Sequence, residues 1–368
     1  MELPEVSVKR IDHVRLVVGN ARQSAYFYRN AFGFQVVAYA GLETGVKDEA
    51  CYVLRQADIC LVLASPLTPN HPDSTRLMTH GDGVQTIALE VADVKLAYQA
   101  AIARGARGVT APTFLEDDHG VYGVAEIALY GDSKHAFIER TRYEGVFAPG
   151  FKMIDSDRYQ PSTFRAVGLK EIDHIVANVE EGKMNEWVRF YADVLGFSLL
   201  AEFDDKAIST EYSALMSKVV ADGNGRIKFP INEPAKGLRR SQIEEYLRFH
   251  NGPGVQHIAL STDNIIETVR AMKANDVSFL RVPPAYYEML SERVGKIDEN
   301  IAELAELGIL VDRDDEGYLL QIFTKPVADR PTLFFEVIER HGAKSFGKGN
   351  FKALFEAIER EQAKRGTL

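Results

Sequence analysis

One nine-residue segment occurs twice in this chain of 368 residues, and the duplication limits the folds that the chain can adopt. The earlier copy is GDGVQTIAL, residues 81–89, and the later copy is GPGVQHIAL, residues 252–260. Self-similarity within a chain is typical of a repeated structural unit. We therefore expect two similar halves, in which Thr86 of the first half stands where the second half has His257.

Further matches extend the repeat over both halves. The segment RIDHVRLVV, which begins at Arg10, recurs as EIDHIVANV from Glu171, and each copy precedes a helix-like segment. These segments end at Gly33 and Gly196, where a helix C-terminus favours a residue with positive φ. Near the ends of the halves, HAFIERTRYEG matches LFFEVIERHG more faintly, and it places Glu139 opposite Glu336.

Alternating apolar residues predict strands around these helices. The predicted fold class is α+β, with tandem βαβββ modules, a curved mixed sheet in each half and a helix at the C-terminus. We expect a first domain over residues 1–150 and a second over residues 165–368. The polar stretch between them contains Pro and Gly and spans residues 143–164. Insertions make the second half longer.

Composition narrows the classes of partner and the location. The net charge is −10 and the basic residues are dispersed, which disfavours nucleic acid and favours a small-molecule partner. The sequence shows neither a signal peptide nor a run of about 18 apolar residues, so we expect a cytoplasmic protein without a membrane partner. Cys51 and Cys60 lie in an apolar, strand-like run, which indicates buried reduced thiols.

Three positions of the repeat indicate a metal site in the second half. In register, His13 matches His174, Thr86 matches His257, and Glu139 matches Glu336. A lone histidine on an apolar strand is usually a core residue, but two histidines and a carboxylate at repeat-equivalent strand positions favour ligation. Two histidines and one carboxylate are the ligands of a facial triad that binds non-haem Fe(II) and leaves positions open. We expect the first half to serve packing and assembly.

Several segments resemble a known family over nearly the whole chain. They are GPGVQHIAL, FPINEP, RRSQIEEYL, PPAYYEML, GYLLQIFTKP, RPTLFFEVIER and FGKGNFKALFEAIEREQ. Together they resemble the 4-hydroxyphenylpyruvate dioxygenase family of the vicinal oxygen chelate superfamily. The resemblance implies one Fe(II) per subunit and a homo-oligomer, a dimer or a tetramer. It also implies conversion of 4-hydroxyphenylpyruvate, a 2-oxo acid, and O₂ to homogentisate and CO₂ in tyrosine catabolism, by oxidative decarboxylation, ring hydroxylation and side-chain migration.

The same resemblance implies which residues surround the substrate. Polar contacts fall on Ser213, Asn232, Gln242 and Gln321. A lid on the C-terminal helix and aromatic walls complete the site, and these predictions name Phe323, Phe334, Asn350, Phe351 and Phe355. Pro230 and Gln256 are expected behind the residues that touch substrate, and Gln256 has a structural alternative because Gln85 repeats it.

Other functions remain as alternatives at this point. Hydroxymandelate synthase has the same ligands and substrate but oxidises the benzylic carbon, and it typically lacks the PxNEP pattern and the Phe of GNFKALF, both of which this chain has. An extradiol dioxygenase would need an acid–base histidine near the metal that the sequence does not identify. A non-catalytic binding protein of the same superfamily would need no metal ligands.

Overall fold

The computed structural model describes residues 5–154, 165–204 and 213–368, which form two mixed sheets, one from each half. Within the described residues, the first half contributes nine strands and three α-helices, together with a short 3₁₀ turn at Leu42–Thr44. In chain order these elements are β1 (Val8–Val17), α1 (Ala21–Phe32), β2 (Gln35–Ala40), β3 (Glu49–Gln56), β4 (Ile59–Pro66), α2 (Pro72–His80), β5 (Gly83–Val91), α3 (Val94–Ala103), β6 (Gly108–Asp117), β7 (Gly120–Ala128), β8 (Lys134–Tyr143) and β9 (Lys152–Met153).

The second half has the same order with extra helices before its last strands. A 3₁₀ turn at Lys348–Asn350 leads into the final helix. The elements are β10 (Leu169–Asn178), α4 (Met184–Leu195), β11 (Ser198–Phe203), β12 (Ala214–Ala221), β13 (Lys228–Ala235), α5 (Gln242–His250), β14 (Gly254–Thr262), α6 (Ile265–Ala274), α7 (Ala285–Glu288), α8 (Leu290–Val294), α9 (Ile301–Leu307), β15 (Leu310–Arg313), β16 (Tyr318–Phe323), β17 (Phe334–His341) and α10 (Phe351–Arg365).

The two sheets are built on the same plan, which confirms the predicted α+β fold class. Strand order is β6-β7-β8-β5-β1-β4-β3-β2-β9 in the first sheet and β11-β12-β13-β10-β14-β17-β16-β15 in the second. At the centre of each sheet, the strands of the two nonapeptide copies pair antiparallel with the strands that open the halves, β5 with β1 and β14 with β10. In each half, the pairing of the nonapeptide strand with the opening strand therefore joins two βαβββ units into one sheet.

Local sequence explains where the repeated helices begin and end. The side chain of Asn20 accepts a hydrogen bond from the Gln23 amide and so caps α1. Gly33 ends α1 with φ of 70°, and Gly196 ends α4 with φ of 71°. Both glycines were predicted at helix C-termini, where the left-handed conformation suits a residue without Cβ, and the structure confirms this.

One apolar core lies between the helices and the sheets and continues from one half into the other. At the contact, Tyr28 and Phe32 of α1 pack against Phe335 of β17, with ring centroids 5.7 and 5.0 Å apart. Because this core is shared, the predicted domain bounds, 1–150 and 165–368, stay a prediction. Among the described residues, no helix combines the length and the apolar character that crossing a membrane requires.

The faces of the sheets that point away from the helices are called the inner faces here. The inner face of the first sheet is filled by a cluster of small and aromatic side chains. Its two thiols, Cys51 and Cys60, are buried and free, as predicted. Burial raises the pKa of the Cys60 thiol to about 12, which keeps it protonated. Other members of the cluster are Ala38, Ala64, Ala88, Tyr122, Ala136, Tyr143 and Phe147.

Strand register corrects one match of the repeat. Ala88 pairs with Ala136, as Ala259 pairs with Glu336, so Ala136 is the first-half counterpart of Glu336. Glu139 faces the helices and its carboxylate accepts a hydrogen bond from the Val94 amide at the start of α3. Glu339 does the same for Ile265 at the start of α6. The predicted match of Glu139 with Glu336 is therefore wrong by three residues.

Candidate metal centre and substrate cavity

Three neighbouring strands bring His174, His257 and Glu336 together on the inner face of the second sheet. Ala259 on β14 pairs with His174 on one side and with Glu336 on the other. His257 lies two residues before Ala259 and therefore shares its face. The Nε2 atoms of His174 and His257 lie 3.2 and 3.3 Å from Oε2 of Glu336. Because Ala259 has a small side chain, the space between the three ligands stays open.

The charges of these three residues depend on one another because all three are buried. Burial favours the neutral acid of Glu336, but the two imidazoles, His174 above all, outweigh it and lower its pKa to about 2. For His174, burial is outweighed by Glu336 and Asp173, which raise the pKa of the imidazole. For His257, burial dominates and lowers the pKa, so the neutral imidazole is favoured.

Each ligand is held by a polar neighbour on the side away from the other ligands. Nδ1 of His174 lies 2.7 Å from Oδ1 of Asp173, and Nδ1 of His257 lies 3.0 Å from Oε1 of Gln256. Nε2 of Gln321 donates to Oε1 of Glu336 at 3.1 Å. When Asp173 and Gln256 accept the Nδ1 protons, both Nε2 lone pairs are free to face a cation.

This donor set fits the Fe(II) that the sequence predicts. The ligand atoms of His174, His257 and Glu336 all lie within 4.8 Å of one another. Two imidazoles and one carboxylate suit divalent iron, and three ligands on one side leave positions for substrate. Another group, Glu49 with His71 and Asp73, has a comparable spread in the described chain. There Arg15 supplies the positive charge, since its guanidinium contacts both carboxylates.

A cavity opens beside the three ligands. Strands β10 to β14, β16 and β17, helix α5 and the C-terminal segment line it. Eleven of the fourteen sequence-predicted site residues lie in its wall: His174, Pro230, Asn232, Gln242, Gln256, His257, Gln321, Phe323, Glu336, Phe351 and Phe355.

Helix α10 closes one side of the cavity with aromatic and aliphatic side chains. Phe351 and Phe355 face the cavity, and Phe203 of β11 packs edge-on against Phe351 at 4.9 Å. Leu354 also lies in the wall. Before the helix begins, Phe346 packs edge-on against the ring of His174 at 5.1 Å.

The other three predicted residues do not line this cavity, and their contact with substrate stays a prediction. Phe334 stacks on the ring of His257 at 4.8 Å and is not among the residues that line the cavity. Asn350 donates from Nδ2 to Oε1 of Gln321 at 2.9 Å. Ser213 precedes β12, where the last helix passes, and its hydroxyl donates to Glu359 at 2.6 Å.

Sequence reasoning missed Ser217, which lies in the cavity wall opposite Asn232 in the pairing of β12 with β13. Alternation along ALMSKVV could have found it, because Leu215, Ser217 and Val219 share one face. Phe203 and Phe346 were also missed, since each lies at the end of a strand or in a connection where no period applies.

Comparison with known proteins agrees with this arrangement. A family model described as the Glyoxalase/Bleomycin resistance protein/Dioxygenase superfamily matches residues 10–126 and 171–322. A protein of Dictyostelium discoideum named 4-hydroxyphenylpyruvate dioxygenase is 48% identical over 364 residues, which cover 97% of this chain and 99% of that protein. The chain belongs to the 4-hydroxyphenylpyruvate dioxygenase family. A family member of the same name from Yarrowia lipolytica is 45% identical and covers 98% of this chain and 94% of its own.

Among solved structures, a relative of this dioxygenase family has the same fold. A mutant of 4-hydroxymandelate synthase from Streptomyces coelicolor superposes with a TM-score of 0.86 and is 31% identical. The match covers 96% of this chain and 99% of that one. The similarity therefore reaches both halves of the chain.

Proposed function

We propose that the protein is an Fe(II)-dependent dioxygenase that converts 4-hydroxyphenylpyruvate and O₂ to homogentisate and CO₂. The observation that carries this proposal is the convergence of His174, His257 and Glu336 at one end of a cavity with aromatic walls. Curated relatives at 42–48% identity carry the corresponding name over nearly the full chain. In a cell, this reaction belongs to tyrosine catabolism.

His174, His257 and Glu336 would hold the metal, with one ion per subunit. When bound there, Fe(II) supplies Lewis acidity toward the 2-oxo acid and electrons for the reduction of O₂. The protein keeps both histidines in the ligating tautomer, because Oδ1 of Asp173 and Oε1 of Gln256 accept the Nδ1 protons. Gln321 donates to Glu336 and so fixes the carboxylate plane.

Polar groups of the cavity orient the substrate. Oε1 of Gln242 is buried and lacks a hydrogen-bond partner in the described chain, so it is an acceptor for the phenol hydroxyl of the substrate. Asn232 and Ser217 face each other across β12 and β13, and they offer further donors in the same wall. The 2-oxo acid end then lies toward the metal ligands.

The aromatic walls hold the ring and exclude water. Edge and stacked contacts from Phe323, Phe351 and Phe355 would add roughly 0.5–1.5 kcal/mol each beyond their burial. Helix α10, which carries two of these rings, is the lid of this proposal, and it shields reactive intermediates from solvent. We retain the cytoplasmic location and a homo-oligomer as predictions of the sequence.

Anaerobic reconstitution with Fe(II), followed by O₂, 4-hydroxyphenylpyruvate and product identification by NMR and mass spectrometry, tests this function. We expect homogentisate in an amount equal to the CO₂ released, and none from the metal-free protein. Hydroxymandelate as the product would identify the alternative, which the structural similarity to 4-hydroxymandelate synthase makes specific. Absence of O₂ uptake with bound iron would contradict both enzymes.

A further inference from the structure

Arg340, near the end of β17, contacts two separate parts of the site with different nitrogen atoms. Its Nε and Nη2 donate to the two carboxylate oxygens of Asp173 at 2.7 and 2.9 Å. Its Nη1 donates to the main-chain carbonyls of Ala343 and Ser345 at 3.1 and 2.7 Å. The side chain of Arg340 is only 18% exposed, so water competes weakly for these contacts.

On one side, Arg340 acts through Asp173 on a metal ligand. Asp173 accepts both hydrogen bonds from the guanidinium fork and is also 2.7 Å from Nδ1 of His174. A carboxylate clamped in this bidentate way has little freedom to rotate. The plane of the Asp173 carboxylate therefore sets the direction in which His174 presents Nε2.

On the other side, Arg340 holds residues 343–350, which we call the docking segment and which lead into α10. Within this segment, Phe346 lies against the Arg340 guanidinium at 5.6 Å and against the His174 ring at 5.1 Å. The amides of Lys344 and Ser345 each donate to Oδ2 of Asp314 at 2.8 Å. Docking of this segment thus places a cavity wall, Phe346, in contact with a ligand.

We propose that Arg340 is a positioning residue that couples docking of residues 343–350 to the orientation of His174. The inference rests on the proposed function, because it takes His174 as a metal ligand. One guanidinium cannot keep its fork on Asp173 and its Nη1 on the two carbonyls unless both partners are in place. By thermodynamic reciprocity, metal binding at His174 stabilises the docked segment as much as docking strengthens metal binding.

The first half offers a matched control within the same chain. Arg140 donates to both oxygens of Asp12 at 2.6 and 2.9 Å and also contacts the carbonyl of Phe147. Asp12 is 2.6 Å from Nδ1 of His13, and Phe147 packs edge-on against that ring at 5.1 Å. The clamp, the histidine and the packed phenylalanine repeat, but Thr86 and Ala136 stand where the second half has its other ligands. A change at Arg140 therefore removes the equivalent clamp without reaching the site.

The test compares Arg340→Lys with Arg140→Lys in the full-length protein, and it uses Fe(II) alone under anaerobic conditions. Lys keeps the charge but loses the fork. We measure the Fe(II) dissociation constant and the hydrogen exchange of the docking segment, with and without metal. In the wild type, Fe(II) should slow this exchange. In Arg340→Lys, affinity should fall about tenfold and the slowing should vanish, while Arg140→Lys should match the wild type.

Asp173→Asn tests the same coupling by changing the residue that contacts His174. It should speed exchange of the docking segment although the contacts of that segment with Asp314 are unchanged. Arg340→Lys with weaker metal binding but undiminished slowing by Fe(II) would overturn the coupling, as would equal effects of Arg140→Lys. Wild-type protein that binds no Fe(II) would overturn the proposed function together with the coupling. Normal Fe(II) binding in all variants would overturn the coupling alone.

Discussion

The inner faces of the two sheets share a framework and differ in what fills it. Each has an aspartate directly followed by a histidine, an arginine that binds the aspartate through two hydrogen bonds, and a phenylalanine packed on the histidine ring. The first face is closed by an apolar cluster, whereas the second borders an open cavity. The same framework is therefore compatible with a packed apolar cluster and with an open cavity, and other side chains decide which of the two forms.

Strand register identifies those side chains. Residues at equivalent positions of the two inner faces form pairs. In each pair, the second half has a polar residue at the cavity, and the first half has an apolar residue or a single hydroxyl. Removal of the polar groups allows the first face to pack tightly without unpaired buried donors or acceptors. The pairs are His257 with Thr86, Glu336 with Ala136, Gln321 with Val124, Asn232 with Ala64, and Ser217 with Cys51.

The largest effect should follow when a metal ligand of the second half is replaced by the residue that stands at the equivalent position of the first half. His257→Thr removes one of the three ligands, so we expect the affinity for Fe(II) to fall at least about a hundredfold and homogentisate formation to cease. Iron titration and product analysis measure this. Thr86→His is the matched control, and it should leave one iron per chain because Ala136 supplies no carboxylate. Unchanged iron content in His257→Thr would end the proposed ligand set.

A change on the side of the first sheet that faces the helices should have an intermediate effect, on stability. There His135 occupies the position that Phe335 occupies in the second half. His135 is fully buried between the Ile87 carbonyl and the Tyr191 hydroxyl, and burial lowers its pKa to about 4. The unfolded chain binds this proton near pH 6.5, so stability is present above that pH and is lost as pH falls toward 4.

Because of this histidine, we expect the free energy of unfolding to fall by about 2 kcal/mol when the pH is lowered from 7 to 5. His135→Phe, which introduces the second-half residue, should remove that part of the pH dependence in urea unfolding. The exposed His119 provides the control, since His119→Phe should leave the dependence unchanged. An identical pH dependence in His135→Phe and the wild type would contradict the assignment.

The smallest effect should come from exchanging a hydroxyl for a thiol. Ser217→Cys keeps the size of the side chain but weakens one hydrogen bond of the cavity, so KM for 4-hydroxyphenylpyruvate should rise about three- to tenfold. Iron affinity should stay the same. Cys51→Ser makes the reverse change in the first half, and steady-state kinetics should show no change in KM. A KM effect of Cys51→Ser equal to that of Ser217→Cys would remove the distinction between the two faces.

The repeat predicted the fold class and the ligand strands because it depends on features that survive duplication. His174 and His257 lie in long matching segments, so their register was secure. Glu139 was misplaced because its segment matches faintly. Strand bulges, such as those between β1 and β5, shift pairing by a residue and leave no clear mark in the sequence.

What the sequence by itself determined is the duplication, the capped helices, the alternating strands and the three residue types of the metal centre. Each of these depends on local chemistry or on a period along the chain. Only the tertiary structure decided that Ala136 replaces the carboxylate, that Ser217 faces the cavity, and that Arg340 joins Asp173 to the C-terminal segment. These facts depend on cross-strand register and on contacts between distant segments, which no local period encodes.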